Sequence, residues 1–397
     1  MQLIVVFGII SLFSDSIFES ARSVNGPYLE TLGADAALVG LVAGLAELLG
    51  YLVRLLTGAW ADRSKAYWAF TIAGYATLAA VPFLAFAGTW RAAALFIVLE
   101  RVGKAIRSPA KDTILSTATR QVGTGFGFGL HQAMDQVGAI LGPLVFTVVF
   151  VLGGSAKASV AEYQGAYRWL WIPFGALMAV LLFAFFRVPD PESSFEPVVP
   201  RPREEDKLTP VFWLYVAFTF VATLGFAGWA LLGFHFKAAG ILSDAEIPLF
   251  YAIAMGVDGA TALVVGLLYD RLKRRTGRES GGLGLLVAVP FLSALIPLLG
   301  FSSSRGLAMA AAAVWGVVMG IHETIMKSAI ADITPMKKRG TGYGIFNTAY
   351  GLGLFAGSAA MGLAYDASPA WVIAMALAAE AAALGLFLVM RRQARRG

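Results

Sequence analysis

Long apolar runs alternate along the chain with short clusters of charge, glycine, proline and serine. A hydrocarbon core about 30 Å thick is crossed by roughly 20 apolar residues in helical form. Cutting the sequence at its charge clusters and turn residues predicts twelve spans, at 3–30, 37–60, 67–88, 91–117, 123–153, 167–187, 209–237, 246–269, 281–301, 306–334, 340–363 and 370–390. The first apolar run has no basic stretch before it and continues into Asp15, Glu19 and Arg22, so it reads as a span rather than a cleaved leader.

Composition fixes the solvent. Of 397 residues, 58% are hydrophobic and 14% charged, against about 25% charged in an ordinary soluble domain. A water-soluble chain of this size cannot hide so much apolar surface. Soluble enzymes, nucleic-acid binders and disordered scaffolds are thereby excluded, and the expected class is an all-α membrane protein. The absence of cysteine removes disulfides, thiolate ligands and thiol nucleophiles. No nucleophile–base pair or metal-ligand cluster stands out, so neither an enzyme nor a cofactor or metal site is expected. His322-Glu323 does not begin a zinc HExxH site, because Met326 occupies the second His position.

The net charge of +6 follows the positive-inside rule rather than a nucleic-acid partner. With the N-terminus inside, roughly 19 basic residues fall in cytoplasmic segments and about five in outer loops, which puts both termini in the cytoplasm of a multi-pass cell-membrane protein. The inner group includes Arg63, Lys65, Lys273, Lys337, Lys338, Arg339 and the Arg391–Arg396 tail. The outer group is Arg91, Lys157, Arg168, Lys237 and Arg305. Segment 188–207 carries five prolines and mixed charge, as a linker would. It divides the chain into an N-terminal half, 1–187, and a C-terminal half, 208–397.

The halves repeat one another. Gly125-x-Gly127-x-Gly129 in span 5 matches Gly340-x-Gly342-x-Gly344 in span 11, and the same offset of 215 residues pairs Gly138 and Gly142 with Gly353 and Gly357. Gly58-x3-Asp62-Arg63 after span 2 matches Gly266-x3-Asp270-Arg271 after span 8, and Arg107-x3-Lys111 loosely matches Glu323-x3-Lys327. Several matches in one order point to duplication. Glycines at such spacing serve close helix packing rather than a nucleotide-binding loop, which would need a preceding strand.

Twelve spans, inside termini, a central linker and Gly-x3-Asp-Arg after spans 2 and 8 resemble the major facilitator superfamily over the whole chain. The resemblance implies two pseudo-symmetric six-helix bundles. Spans 1, 4, 7 and 10 would line the cavity, and 3, 6, 9 and 12 would be peripheral. The loop signature continues in the family with Gly and a basic pair; the first copy departs from it with Lys65-Ala66-Tyr67, and the second keeps Lys273-Arg274-Arg275. Asp62 and Asp270, at cytoplasmic helix ends, would latch neighbouring helices as gating residues together with Gly58, Arg63, Gly266 and Arg271.

Charge placement agrees with that arrangement. Spans 3, 6 and 9 have no ionisable residue in their interiors and span 12 only Glu380. Intramembrane charge costs about 2.5–3.5 kcal/mol per group or more, so it must face protein or water. Asp15, Glu19 and Arg22 share one face of span 1, and Glu100 and Lys104 one face of span 4. Span 2 adds Glu47 and Arg54. The set reads as proton carriers (Asp15, Glu19, Asp135, Asp258, Glu323) around solute-binding residues (Arg22, Glu100, Arg101, Lys104, His131, Lys327, Tyr350), with structural ion pairing as the alternative for each. Phe226, Trp229, Phe234 and Tyr350 are candidates for an aromatic wall.

Gly138-x3-Gly142-Pro143 resembles the antiporter motif of the family's exporters and reads as a packing seam with a hinge, although the Gly expected after Pro143 is missing. Arg101 matches the Arg of the drug–proton antiporter signature, whereas Lys104 and Ala105 replace its Gln and Gly. The expectation is a monomeric secondary transporter in the lipid bilayer that moves a small polar or ionic solute by alternating access. Proton-coupled export is favoured over proton-coupled uptake of an organic anion or sugar-like solute. A passive channel or non-transporting receptor is the reading from a different class.

Overall fold

A computed structural model describes residues 2–119, 124–154, 157–188, 208–276, 279–334 and 338–396. They are helical nearly throughout, and no strand occurs among them. In chain order the helical stretches are α1 (Gln2–Thr31), α2 (Ala36–Ser64), α3 (Tyr67–Phe86), α4 (Trp90–Thr119), α5 (Thr124–Gly153) and α6 (Val160–Arg187). They continue as α7 (Pro210–Ala238), α8 (Glu246–Thr276), α9 (Gly282–Gly300), α10 (Arg305–Ile330), α11 (Arg339–Ala367) and α12 (Pro369–Arg396). The expected linker, apart from Val188, lies outside the described residues, as do the side chains of the Gly125–Gly129 opening of α5.

Among the described residues, nine helices are long and apolar enough to cross a membrane. The stretches that miss this standard are α1, α4 and α11. In α4 the cause is charge, the run from Glu100 to Asp112, and in α1, whose side chains are described from Val5 onward, every remaining stretch long enough to cross takes in Asp15, Glu19 and Arg22. In α11 it is the polar, glycine-rich opening. Hydropathy is lost where the sequence places its polar machinery.

Three boundaries depart from the apolar pattern. Helix α6 starts at Val160, where Ser159 accepts from the Glu162 backbone N–H and Glu162 reaches back to the Ser159 N–H, a capping box. Glu162 and Arg168 therefore lie inside α6 and not in a loop, because capping overrides the polarity of that first turn. The basic tail is helical and carries α12 to Arg396. Helix α7 is not continuous: it consists of Pro210–Gly225 and Trp229–Ala238, with residues 226–228 non-helical between them. Helix α10 contains a wider π turn at His322–Met326, a feature often found at functional sites.

The repeated glycines are contact points. A Cβ on Gly138 would stand 2.3 Å from the Leu12 carbonyl oxygen, and one on Gly142 would stand 2.1 Å from that of Ser16. In the second half, Gly353 meets the Phe220 carbonyl at 2.5 Å and Gly357 that of Leu224 at 2.3 Å. So α5 seats on α1 as α11 seats on α7, each through two glycines one turn apart. Backbone against backbone leaves no room for a side chain.

The chain gathers into two compact units. The first comprises Met1–Asp35, Leu45–Val198 and Phe236–Ala252, and the second Ala36–Gly44, Val199–His235 and Ile253–Gly397. In the first, Asp244 accepts from Lys237 Nζ at 2.6 Å, from the Ala158 N–H at 2.7 Å and from the Tyr163 hydroxyl, fixing the α7–α8 connection. In the second, Asp366 accepts from the N–H groups of Ala36 and Ala37 at 3.2 and 3.1 Å, and so caps the start of α2.

Candidate functional site

Within the first unit, α1, α2 and α4 bring the expected charges into one chain of contacts. Arg22 lies 3.7 Å from Glu19 and 3.7 Å from Glu47. Arg101 closes on Glu47 at 2.7 Å and stands 3.9 Å from Glu100. Glu19 also accepts from the Tyr251 hydroxyl of α8. Because Glu47 is shared between two arginines, it is the hub of the network.

Phe18 is the second organising residue. The guanidinium carbon of Arg101 is 4.4 Å from its ring centroid and Lys104 Nζ is 3.7 Å away, both within cation–π range. The i, i+4 placement of Glu100 and Lys104 does not yield an ion pair. Among the described residues no carboxylate oxygen comes within 4 Å of Lys104 Nζ, and the ammonium rests on an aromatic face instead. Deeper along α4, Arg107 is buried, donates to Ser14 Oγ at 3.0 Å and lies over the Tyr75 ring.

Asp15 is half-buried on α1, one turn from Glu19, and the charged groups that act on it are Asp135, Lys104, Glu19 and Lys111. Asp135 sits 3.4 Å from buried His131 on α5. The sequence-predicted residues of this unit thus form one polar cluster: Asp15, Glu19, Arg22, Glu100, Arg101, Lys104, His131 and Asp135. The residues missed were Phe18 and Tyr251, together with Glu47, counted in its span but not assigned to the site. Spacing on a single helix cannot disclose a partner on another.

The second unit holds an aromatic cluster. His322, buried at the start of the π turn, shares a 3.1 Å hydrogen bond between Nδ1 and the Tyr350 hydroxyl. Its ring packs on Phe226 at the α7 break, Phe226 packs on Trp315, and Trp315 on Trp229. Phe226, Trp229, Phe234 and Tyr350 are all buried. Asp258 is buried on α8, whereas Glu323 is exposed on α10. The Lys327 side chain lies outside the described residues.

At the loop motifs, Asp62, Arg63, Asp270 and Arg271 are exposed. Asp62 accepts from the Tyr67 hydroxyl at 3.4 Å. In the second copy, Asp332, on the helical turn that carries α10 on to Ile333, takes Lys273 at 2.8 Å and the Tyr269 hydroxyl at 2.7 Å, so among the described residues the contact that ties α8 to its neighbour is made by Asp332 rather than by Asp270. Residues 269 and 273 share the inward face, and 270 does not. Gly58 rests against Pro109 and Gly266 against Thr324. Lys65, where the family signature has its glycine, has φ of 57°.

The chain matches the sequence profile of the Major Facilitator Superfamily over residues 6–358. It belongs to that superfamily. An uncharacterised protein of Mycobacterium tuberculosis is 38% identical over 398 residues, covering 98% of this chain and 93% of that protein. The fosmidomycin resistance protein of Escherichia coli is 27% identical over 150 residues, 37% of this chain and 33% of that protein. The fold is similar to the crystal structure of a bacterial homologue of the human lysosomal transporter Spinster in its inward-facing, occupied conformation, with a TM-score of 0.69 and 15% identity over 98% and 96% of the two chains. As a member of the major facilitator superfamily, the chain is a multi-pass membrane transporter of the secondary type.

Proposed function

We propose that this transporter exports a small polar or ionic solute in exchange for protons, by alternating access, as a monomer with both termini in the cytoplasm. The observation that carries the reading is Asp15 beside Glu19, Asp135 and Lys104. Glu19 and Asp135 have Arg22 and His131 at 3.7 and 3.4 Å, whereas Asp15 makes no ion pair of its own among the described residues and feels Lys104 and Lys111 only at longer range, so a charge on Asp15 is costly away from bulk water. Proton occupancy there must change as solute groups arrive and leave. A solute that engages Asp15 through a donor or cationic group displaces its proton, which is the condition for antiport. Arg22, Arg101 and Lys104 would hold the solute's acceptor groups over Phe18. The exporter-type Gly138-x3-Gly142-Pro143 seam on α1 supports outward transport, as does the likeness to a protein named for drug resistance.

A second reading is favoured by Lys104 itself. An anionic solute bound there would neutralise the ammonium and draw a proton onto Asp15, so that solute and proton travel together, as in uptake. The sign of proton movement separates the two. Purified protein in vesicles with a trapped pH-sensitive dye is exposed to a panel of sugars, organic acids and amines. Antiport makes the interior alkaline as a solute enters, and symport makes it acidic. A solute that enters solute-free vesicles without any proton movement would overturn both, and a conductance without trans-stimulation would indicate a channel.

A further inference from the structure

Glu380 stands apart from the polar cluster and from the pattern that placed it. It lies in α12, whose remaining apolar stretch carries no charge, yet it is 2% exposed. Neither carboxyl oxygen has a hydrogen-bond partner among the described residues. Its place is provided by Gly225: a Cβ there would stand 2.6 Å from Glu380 Oε1 and 3.0 Å from the carboxyl carbon. Gly225 is the last residue of the first half of α7, immediately before the non-helical residues 226–228.

A helix that ends inside the fold leaves carbonyl groups without intrahelical donors, and its C-terminus carries the negative end of the helix dipole. A bare carboxylate at that position meets like charge in an apolar surrounding, which is unfavourable twice over. Among the described residues no cation is at hand to offset it. Helix α7 contributes only Tyr215 among titratable groups before the break, and α9 contributes none. Those of α11 are Arg339, Tyr343, Tyr350, Tyr365 and Asp366, and no charge acts on Glu380 among the described residues.

We propose that Glu380 is a proton-binding site that ties α12 to the break in α7. The bound proton comes from water, joins one carboxyl oxygen and gives the group a donor to offer the carbonyls that the break leaves open. When the proton departs, the carboxylate faces the negative helix end and the contact is lost. Proton occupancy of α12 would then bias the bend in α7, which carries Phe226 and Trp229 of the aromatic cluster. The inference does not depend on Asp15 being a carrier, since none of its residues belongs to the Asp15 cluster.

The test uses the full-length protein in nanodiscs without sodium. The wild type should show at neutral pH the infrared carbonyl stretch of a protonated, buried carboxylic acid, and Glu380→Gln should lack that one component. The unfolding temperature of the wild type should fall relative to Glu380→Gln as the pH rises, because the folded state alone holds the proton tightly. If Glu380→Gln does not fold, Glu380→Asp replaces it and should shift the band. A wild-type spectrum without the band, or parallel pH profiles, would overturn the proposal. So would stabilisation of the wild type at high pH by sodium but not choline, absent in the variant, which would make the ligand a metal cation.

Discussion

Lys104 holds its ammonium 3.7 Å from the centroid of the Phe18 ring, and Phe18 is buried. A cation–π contact of this kind contributes about 0.5–2 kcal/mol, depending on desolvation. Because Lys104 has no carboxylate within 4 Å among the described residues, removing its charge strands no buried partner. Lys104→Gln is expected to lower stability by no more than that contact, about 0.5–2 kcal/mol, while abolishing solute-driven proton movement in vesicles. An unaltered solute response in that variant would remove Lys104 from the solute site. Phe18→Leu, which loses the ring under both Arg101 and Lys104, should lower stability by about 1–3 kcal/mol.

Arg101 and Glu47 should behave differently. They meet at 2.7 Å with most of both side chains covered, so removing one leaves the other charged and poorly compensated. Arg101→Ala should therefore weaken both folding and solute affinity. In a double-mutant cycle with Glu47→Gln, the coupling energy should be about 1–3 kcal/mol. Additive effects would mean that the pair is not energetically formed.

Glycine substitutions separate contact from mere helix content. Gly142→Ala would place a methyl group 2.1 Å from a backbone oxygen that cannot move aside, so the folded yield should collapse. Gly165, in α6, has nothing within 4 Å of where its Cβ would stand. Gly165→Ala should leave the protein folded and raise its stability by about 0.5–1 kcal/mol, through helix propensity alone. Thermal unfolding of both variants checks the contrast.

Lys65 adopts a left-handed conformation that costs a residue with a Cβ about 1–2 kcal/mol relative to glycine. Lys65→Gly should raise the unfolding temperature without altering transport. A lower temperature would show that the Lys65 side chain contributes more than its backbone strain costs.

Much of this arrangement is legible in the sequence, for physical reasons that differ by element. The apolar runs and the charge-poor α3 and α9 reflect the solvent each segment faces, and that is a local property. The paired glycines are legible because close helix packing demands them in both copies, and Gly138 and Gly353 do seat on equivalent carbonyls of α1 and α7. Glu47, Phe18, Tyr251 and Asp332 are not legible as site residues, because each acquires its role from a neighbour distant in sequence. The break in α7 is only hinted at by Gly225-Phe-Ala-Gly228, since an apolar run reads the same whether helix or bend. Glu380 was visible as an anomaly, but its meaning needed the glycine opposite.

The central claim is that Asp15 carries the coupling proton in a solute exchanger. Asp15→Asn keeps the side chain's shape and removes its titration. Reconstituted in vesicles, the variant should still exchange labelled for unlabelled solute, while solute movement driven by a pH gradient disappears. Gradient-driven transport equal to that of the wild type would contradict the account.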